Sequence, residues 1–312
     1  MRSLTVAWNL TKATGGVKFN DGAACLFVAD ELAFPLRAKG WRTLWNGLHM
    51  MTGQTRKPAV AGLFYPGRGP ELERQVRAYL AAPPAGPDWP KALIAPHAGY
   101  PYSGEIAGRA FARLAPGHAT IHRVVLFCPA HRYALRGIAM PESEVFAMPC
   151  GPVPVDQAAL QHIRDLPAVE TSEAAHADEH AIEVLLPFLQ QVLDDFQIVP
   201  LVAGHATPEE VEQVMDHLWG GPETVFVVSS DLSHYQDYAT AQRMDRATSD
   251  AILRLDPDAI GEADACGRIP IQGLLRVVRR RKLNVHLLAL CNSGDTAGSH
   301  DHVVGYGAYA FH

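Results

Sequence analysis

Basic tracts are scarce in this chain. The longest is Arg279-Arg280-Arg281-Lys282, and 27 Lys and Arg stand against 33 Asp and Glu for a net charge of −6. Without a broad cationic stripe a protein cannot neutralise a phosphate backbone, so no nucleic-acid partner is expected. Long apolar runs are missing too. A membrane helix takes about 20 consecutive apolar residues, whereas the best amino-terminal candidate, Ala23 to Phe34, is interrupted by Asp30 and Glu31. No membrane partner is expected, and the chain is read as cytoplasmic. The five cysteines, at positions 25, 128, 150, 266 and 291, are odd in number and show no CxxC spacing. That argues against a disulfide framework or a zinc knuckle and fits free thiols in a reducing compartment. Neither a GxSxG elbow nor a Walker A loop occurs, which removes the commonest α/β hydrolase and NTPase readings. Gly305-Tyr306-Gly307-Ala308-Tyr309 is no nucleotide loop either, since it lies in a strand-like run with no helix after it.

What remains is a globular composition, with 48% hydrophobic and 19% charged residues over 312 positions, enough for a sizeable core. Residues 1–55 stand apart, with turn-prone Gly15-Gly16 and Asn20-Asp21-Gly22, exposed-looking Trp8, Trp41 and Trp45, and no clean period. They are expected to form a weakly ordered extension, whether a real segment or the product of a start codon placed upstream of Met50-Met51. Residues 56–312 alternate short apolar runs with longer amphipathic ones, which predicts a single α/β domain with a mostly parallel central sheet and helices on both faces. Strands are predicted at Ala92–Ala95, Val124–Cys128, Ile198–Val202, Val225–Ser229, Val285–Leu290 and Val303–Phe311. Helices are predicted at Glu71–Ala81, Gly104–Leu114, Asp156–Asp165, Glu179–Leu193, Pro208–Leu218, Ala239–Leu255 and Ile271–Arg281.

Three predicted strands run directly into polar residues at their carboxyl ends: Ala95-Pro96-His97, Cys128-Pro129-Ala130-His131 and Ser229-Ser230-Asp231-Leu232-Ser233-His234. In open α/β sheets that edge binds ligands. Pro96 ends its strand, and Gly99 permits a backbone excursion that presents the imidazole. Cys266 stands just ahead of a predicted helix, where the helix dipole favours thiolate, although a lone cysteine is more often a small buried hydrophobe. Imidazoles with one anionic ligand suit Fe(II), Cu or Zn, and spacing does not choose among them. Against this stands the abundance of histidine, 15 in all, most of which serve hydrogen bonding or lie in solvent. Asp231 can equally cap a following turn. In a second cluster, Asp178-Glu179-His180-Ala181-Ile182-Glu183, a helix would put His180 and Glu183 on one face, as proton carrier and orienting carboxylate. The competing reading is a helix start whose dipole welcomes Asp178 and Glu179.

At these residues the sequence resembles the MEMO family, also called AmmeMemoRadiSam system protein B. The resemblance spans roughly residues 57 to 312 and rests on Ala61 to Pro66, Ile94 to Tyr100, Pro129 to His131, Asp178 to Glu183, Val228 to His234 and Cys266 to Pro270. It implies a fold like that of the class III extradiol dioxygenases, with His97, His131 and Cys266 at the metal-binding positions and His234 at the place of the acid/base histidine. Two departures qualify it. Arg132 follows His131 where the family often has a second histidine, and a cysteine stands where ring-cleaving enzymes carry a carboxylate, so catechol cleavage is not simply inherited.

The resulting expectation is a metal-dependent oxidoreductase, dioxygenase-like, acting on a small molecule. Fe(II) comes first as its metal, then Cu, with Zn behind them. His234, oriented by Asp231, would move protons, while Tyr100, Tyr102, His180 and Glu183 would line the substrate pocket. The alternative is a non-catalytic module that holds metal or a peptide and works with radical-SAM and AMMECR-type partner proteins. Metal-assisted hydrolysis ranks third, because a thiolate blunts Lewis acidity.

Overall fold

Branched and aromatic runs such as Val124-Val125-Leu126-Phe127 and Val225-Phe226-Val227-Val228 are buried along their whole length, as strands covered on both faces must be. The computed structural model describes residues 53–81 and 88–312, together with the backbone of Leu26–Phe27. Apart from that backbone pair and residues 53–55, the expected extension over 1–55 lies outside the described residues. The strands are β1 (Leu26–Phe27), β2 (Thr55–Arg56), β3 (Ala92–Ala95), β4 (Arg123–Pro129), β5 (Ile138–Met140), β6 (Val145–Phe146) and β7 (Val153–Pro154), followed by β8 (Val169–Thr171), β9 (Gln197–Ala203), β10 (Thr224–Ser229), β11 (His234–Gln236), β12 (Val285–Asn292) and β13 (Val303–Phe311). The helices are α1 (Gly69–Tyr79), α2 (Tyr100–Ala112), α3 (Gln157–Ile163), α4 (Glu173–Ala177), α5 (Leu186–Val192), α6 (Pro208–His217), α7 (Tyr238–Leu253) and α8 (Arg268–Arg281).

The large sheet has the order β1-β12-β13-β3-β10-β4-β9-β5-β8, with β11 paired to β13, and β2-β6-β7 form a small second sheet. Its four central strands, β3, β10, β4 and β9, are parallel. The flanks are not: β13 pairs antiparallel with both β3 and β12, and β5 pairs antiparallel with β9. The single α/β domain therefore carries a mixed sheet, and the mostly parallel expectation holds for its centre only. The difference arises because β12 and β13 follow one another through residues 293–302 with no crossover α-helix to carry the chain back to the same end of the sheet, which leaves antiparallel pairing.

Helix starts follow local chemistry. Asp156 accepts the Ala159 N–H ahead of α3, Thr207 and Glu210 form a reciprocal capping box at α6, and Asp237 caps α7. The predicted helix Glu179–Leu193 does not form as one piece. Residues beyond α4 make an irregular turn, then a 3-10 turn at Glu183–Leu185, and only then α5. The Glu179 carboxylate accepts the Ala181 N–H at 3.0 Å, a local bond that competes with helical pairing.

That turn is anchored by a buried ion pair. Arg56 Nη1 donates to Glu183 Oε2 at 2.6 Å, and Tyr65 Oη, Val60 N and Ala59 N supply further donors to the same carboxylate at 2.5, 3.0 and 2.7 Å. Arg56 also donates to the carbonyls of His176 and Glu179. Glu183 is 0% exposed, so removing it would strand a buried guanidinium and three other donors. Glu183→Ala is therefore expected to destabilise the protein by about 3–5 kcal/mol, against about 0–1 kcal/mol for Glu212→Ala at the partly exposed surface pairs with Arg276 and Arg280. Urea denaturation of both variants checks the contrast.

Candidate metal centre

The carboxyl ends of β3, β4 and β10 deliver their polar residues to one place. His97, just past β3, is 2% exposed, and its backbone N–H donates to Asp231 Oδ1 at 2.8 Å. Its Nδ1 lies 2.8 Å from Ser229 Oγ, and that hydroxyl donates to the Ala181 carbonyl at 2.7 Å. A hydroxyl whose proton is committed can only accept, so His97 Nδ1 carries the hydrogen and Nε2 keeps its lone pair.

His131, past β4, is governed by Glu179. Its backbone N–H reaches Glu179 Oε2 at 2.7 Å, and Nδ1 lies 2.9 Å from Oε1. A carboxylate only accepts, so Nδ1–H is again the donor and Nε2 is left free. Burial by itself raises the Glu179 pKa, but the bonds from His131 and Ala181 outweigh it and hold the carboxyl down at about 2. A histidine steered by a buried carboxylate is the usual support of a metal-ligating imidazole.

His180 enters from the turn after α4. Its ring meets those of His97 and His131 at centroid distances of 5.4 and 4.9 Å and packs against the Phe64 edge. One ring nitrogen from each of His97, His131 and His180 lies within 4.8 Å of the others. His180 Nδ1 is buried without a hydrogen-bond partner, 3.4 Å from Glu179 Oε1. Three convergent imidazoles, two of them with lone pairs fixed by their neighbours, fit a first-row metal ion.

Cys266 stands beside this set rather than within it. Its Sγ is 3.5 Å from His97 Nε2 and accepts the Asp231 N–H at 3.3 Å. The backbone approach depends on Gly267, where a Cβ would lie 2.6 Å from Ser230 Cβ. The expected thiolate is not favoured in the metal-free chain, since burial first and the Asp231 charge second push the thiol up to about 12, outweighing the hydrogen bonds from the Asp231 backbone, Ser230 and Gly267. A bound cation would reverse that balance. Asp231 is itself buried, which raises its pKa despite the His97 N–H bond. His234, half-buried on β11, is coupled electrostatically to both Asp231 and His97.

Two expected pocket residues lie elsewhere. Tyr100 is buried in the core and donates to the Val184 carbonyl at 2.9 Å, and Glu183 is the fully satisfied partner of Arg56. Because residues 179–185 are not one helix, His180 and Glu183 do not share a face. Tyr102, by contrast, is 41% exposed on the first turn of α2, beside Gly99. Sequence reasoning assigned Glu179 to a helix dipole and gave Ser229 no role. The available signals were that Glu179 directly precedes His180 and that Ser229 closes a strand beside Ser230-Asp231.

Fold and site together define a strand-end, histidine-rich α/β protein. A family model described as "Memo-like protein" matches residues 56–310. A MEMO1 family protein of Thermotoga petrophila is 34% identical over 275 residues, covering 80% of this chain and 97% of its own length. Another from Methanosarcina barkeri is 34% identical over 269 residues, with 81% and 98% covered. One from Desulfurococcus amylolyticus is 30% identical over 280 residues, with 82% and 99% covered. The chain belongs to the MEMO family.

Burial holds three histidines neutral. It lowers His97 from 6.5 to about 3 and, likewise acting first, brings His176 and His180 to about 4. Unfolding lets each take up a proton near its ordinary pKa. Their contribution to stability is therefore complete above pH 6.5 and is lost as pH falls toward 4 and 3. In EDTA, the urea midpoint is expected to drop steadily from pH 7 to pH 5, and a flat midpoint over that interval would contradict the assignment.

Proposed function

We propose that this MEMO family protein is a metal-dependent oxidoreductase acting on a small molecule. The observation that carries the reading is the pair of fixed tautomers. Ser229 and Glu179 each take the Nδ1 proton of one histidine and so turn two Nε2 lone pairs free. His97, His131 and His180 would hold the ion, and Cys266, beside His97 Nε2, would supply the anionic donor. Fe(II) suits that set first and Cu second, with Zn behind them; a redox-active ion there supplies one-electron and O₂ chemistry. The chain's own residues do the rest. Glu179 orients the His131 ring, and the neutral state of His97 and His180 keeps protons off the donor nitrogens. His234 is placed to hold or pass a proton beside Asp231, and Tyr102 offers an aromatic edge at the mouth.

A second reading has its own observation. Tyr102, Tyr133 and Tyr235 are among the few large hydrophobic residues left exposed, and each follows a site histidine closely in sequence. Such a rim suits a module that docks radical-SAM or AMMECR-type partners rather than one that turns over substrate. Binding of a purified partner, lost in Tyr235→Ala with metal content unchanged, would favour it.

Elemental analysis of protein purified anaerobically separates metal site from chance cluster. The wild type is expected to hold about one first-row ion per chain and His97→Ala to lose it; equal content in the two would sink the ligand assignment. Cys266→Ser should abolish sulfur-to-metal charge-transfer absorption in the Cu(II)-loaded protein, whereas His180→Gln should keep it. O₂ uptake against a panel of phenolic compounds then decides between turnover and binding.

A further inference from the structure

The loop that carries Asp231 and His234 is gripped from behind by a carboxyl with no part in the chemistry above. Ser233 N–H donates to Asp245 Oδ1 at 3.0 Å. Leu232 N–H donates to Gly305 O, and Gly305 N–H to Ser233 O, both at 2.8 Å. The loop is thus clamped between α7, which bears Asp245, and β13, which bears Gly305. The clamp requires glycine, since a Cβ at 305 would lie 2.1 Å from Asp245 Oδ2. The carboxyl occupies the space a side chain would need.

Asp245 is 3% exposed, and the Ser233 side chain as well as the Ser233 backbone N–H bears on its carboxyl. What the carboxyl holds is the residue immediately before His234. From there the chain enters β11 through Tyr235, in the left-handed region at φ 58°, an unusual conformation for a tyrosine. With Val304 pairing His234 on the other side, little freedom remains for the imidazole's backbone.

We propose that Asp245 is the positioning residue for His234, fixing through Ser233 the backbone that carries this imidazole and so its electrostatic link to Asp231 and His97. The assignment rests on the reading of His234 as the proton carrier. Positioning of this kind matters because an error of about 1 Å in a catalytic group can cost about 100-fold in rate.

Titration gives the proposal a signature. The groups facing Asp245 are Ser233 from the loop, Gly305 and Tyr309 from β13, Asp264 ahead of Cys266, and Asp295 after β12. Burial raises its pKa to about 6, Ser233 opposes the shift, and Asp264 and Asp295 add to it. The stabilising contribution is therefore complete below 3.8 and lost as pH rises through about 6.

Nuclear magnetic resonance of the full chain in EDTA tests this without any bound metal, following the Ser233 amide and the His234 ring, the latter assigned with His234→Gln. In a chain carrying His234→Gln, which removes the neighbouring ring's own titration, the Ser233 amide is expected to show a titration step near pH 6. Asp245→Asn in that same background, which keeps an acceptor but cannot ionise, should lose the step. Asp245→Ala should displace the His234 ring while leaving the remote His118 unmoved. A step that persists in Asp245→Asn, or a folded Asp245→Ala with an unshifted His234 ring, overturns the proposal. If Asp245→Ala does not fold, the comparison of Asp245→Asn with its His234→Gln parent decides alone. Because the readout is metal-free, loss of the metal assignment through His97→Ala would leave this result standing.

Discussion

The arrangement of the site depends on the Glu179 carboxylate. Its two oxygens take the backbone and ring N–H groups of His131 and the backbone N–H of Ala181. In one group, then, the end of β4 is tied to the turn that bears His180. The same turn passes the Ala181 carbonyl to Ser229, and Ser229 fixes the His97 ring. All three imidazoles are thus placed by one chain of acceptors running back to Glu179. Charge-assisted bonds of this kind are about twice as strong as neutral ones, which explains how a carboxylate stays ionised where burial alone would neutralise it. The turn is held in its place by the Arg56–Glu183 pair, so a buried ion pair well away from the imidazoles has a direct structural consequence for them.

The charges around the imidazoles are organised for a cation. His97 and His180 are kept neutral by burial, and each lies near another imidazole whose charging would disfavour its own. Glu179 is ionised, whereas burial makes Asp231 and Cys266 hold their protons more readily than usual, outweighing the hydrogen bonds that favour their charged forms. A divalent ion would relieve all three constraints at once. It would use the nitrogen lone pairs, and it would lower the cost of ionising the thiol and the buried acid. The site is therefore better matched to a positive charge than to the protons that would otherwise compete for it.

The centre of this fold was readable because four apolar runs have strand length, three of them leading directly into Pro, His or Ser, and burial on both faces removes any competing period. The convergence of His97 and His131 followed from that alone. What escaped were features that local pattern does not encode. The strands β5 to β8 are two or three residues long and exist through their partners. Tyr100 was placed in the pocket by its closeness to His97 in sequence, yet on α2 its side chain turns into the core. The region from Glu179 to Leu193 carries a helical pattern, but the Glu179 carboxylate competes for the Ala181 N–H and breaks it. The expectation that His180 and Glu183 act together failed with that helix, although His180 itself reached the site by another route.

Cys266 is where sequence and structure constrain each other most. Read from sequence, a thiol just before a helix should be acidic. In the fold it is packed against the Asp231 backbone and acidic side chain, and burial dominates the half-charge of a helix end, which is about +0.5 and is reached only within the first turn. The thiol stays protonated until a cation arrives, while the imidazoles need no such deprotonation. On the proposed metal-binding reading, such a site would take metal first through nitrogen and gain its anionic sulfur donor as a consequence. That order would favour ions that bind imidazole well and also displace a thiol proton over hard ions such as Mg²⁺ that do neither.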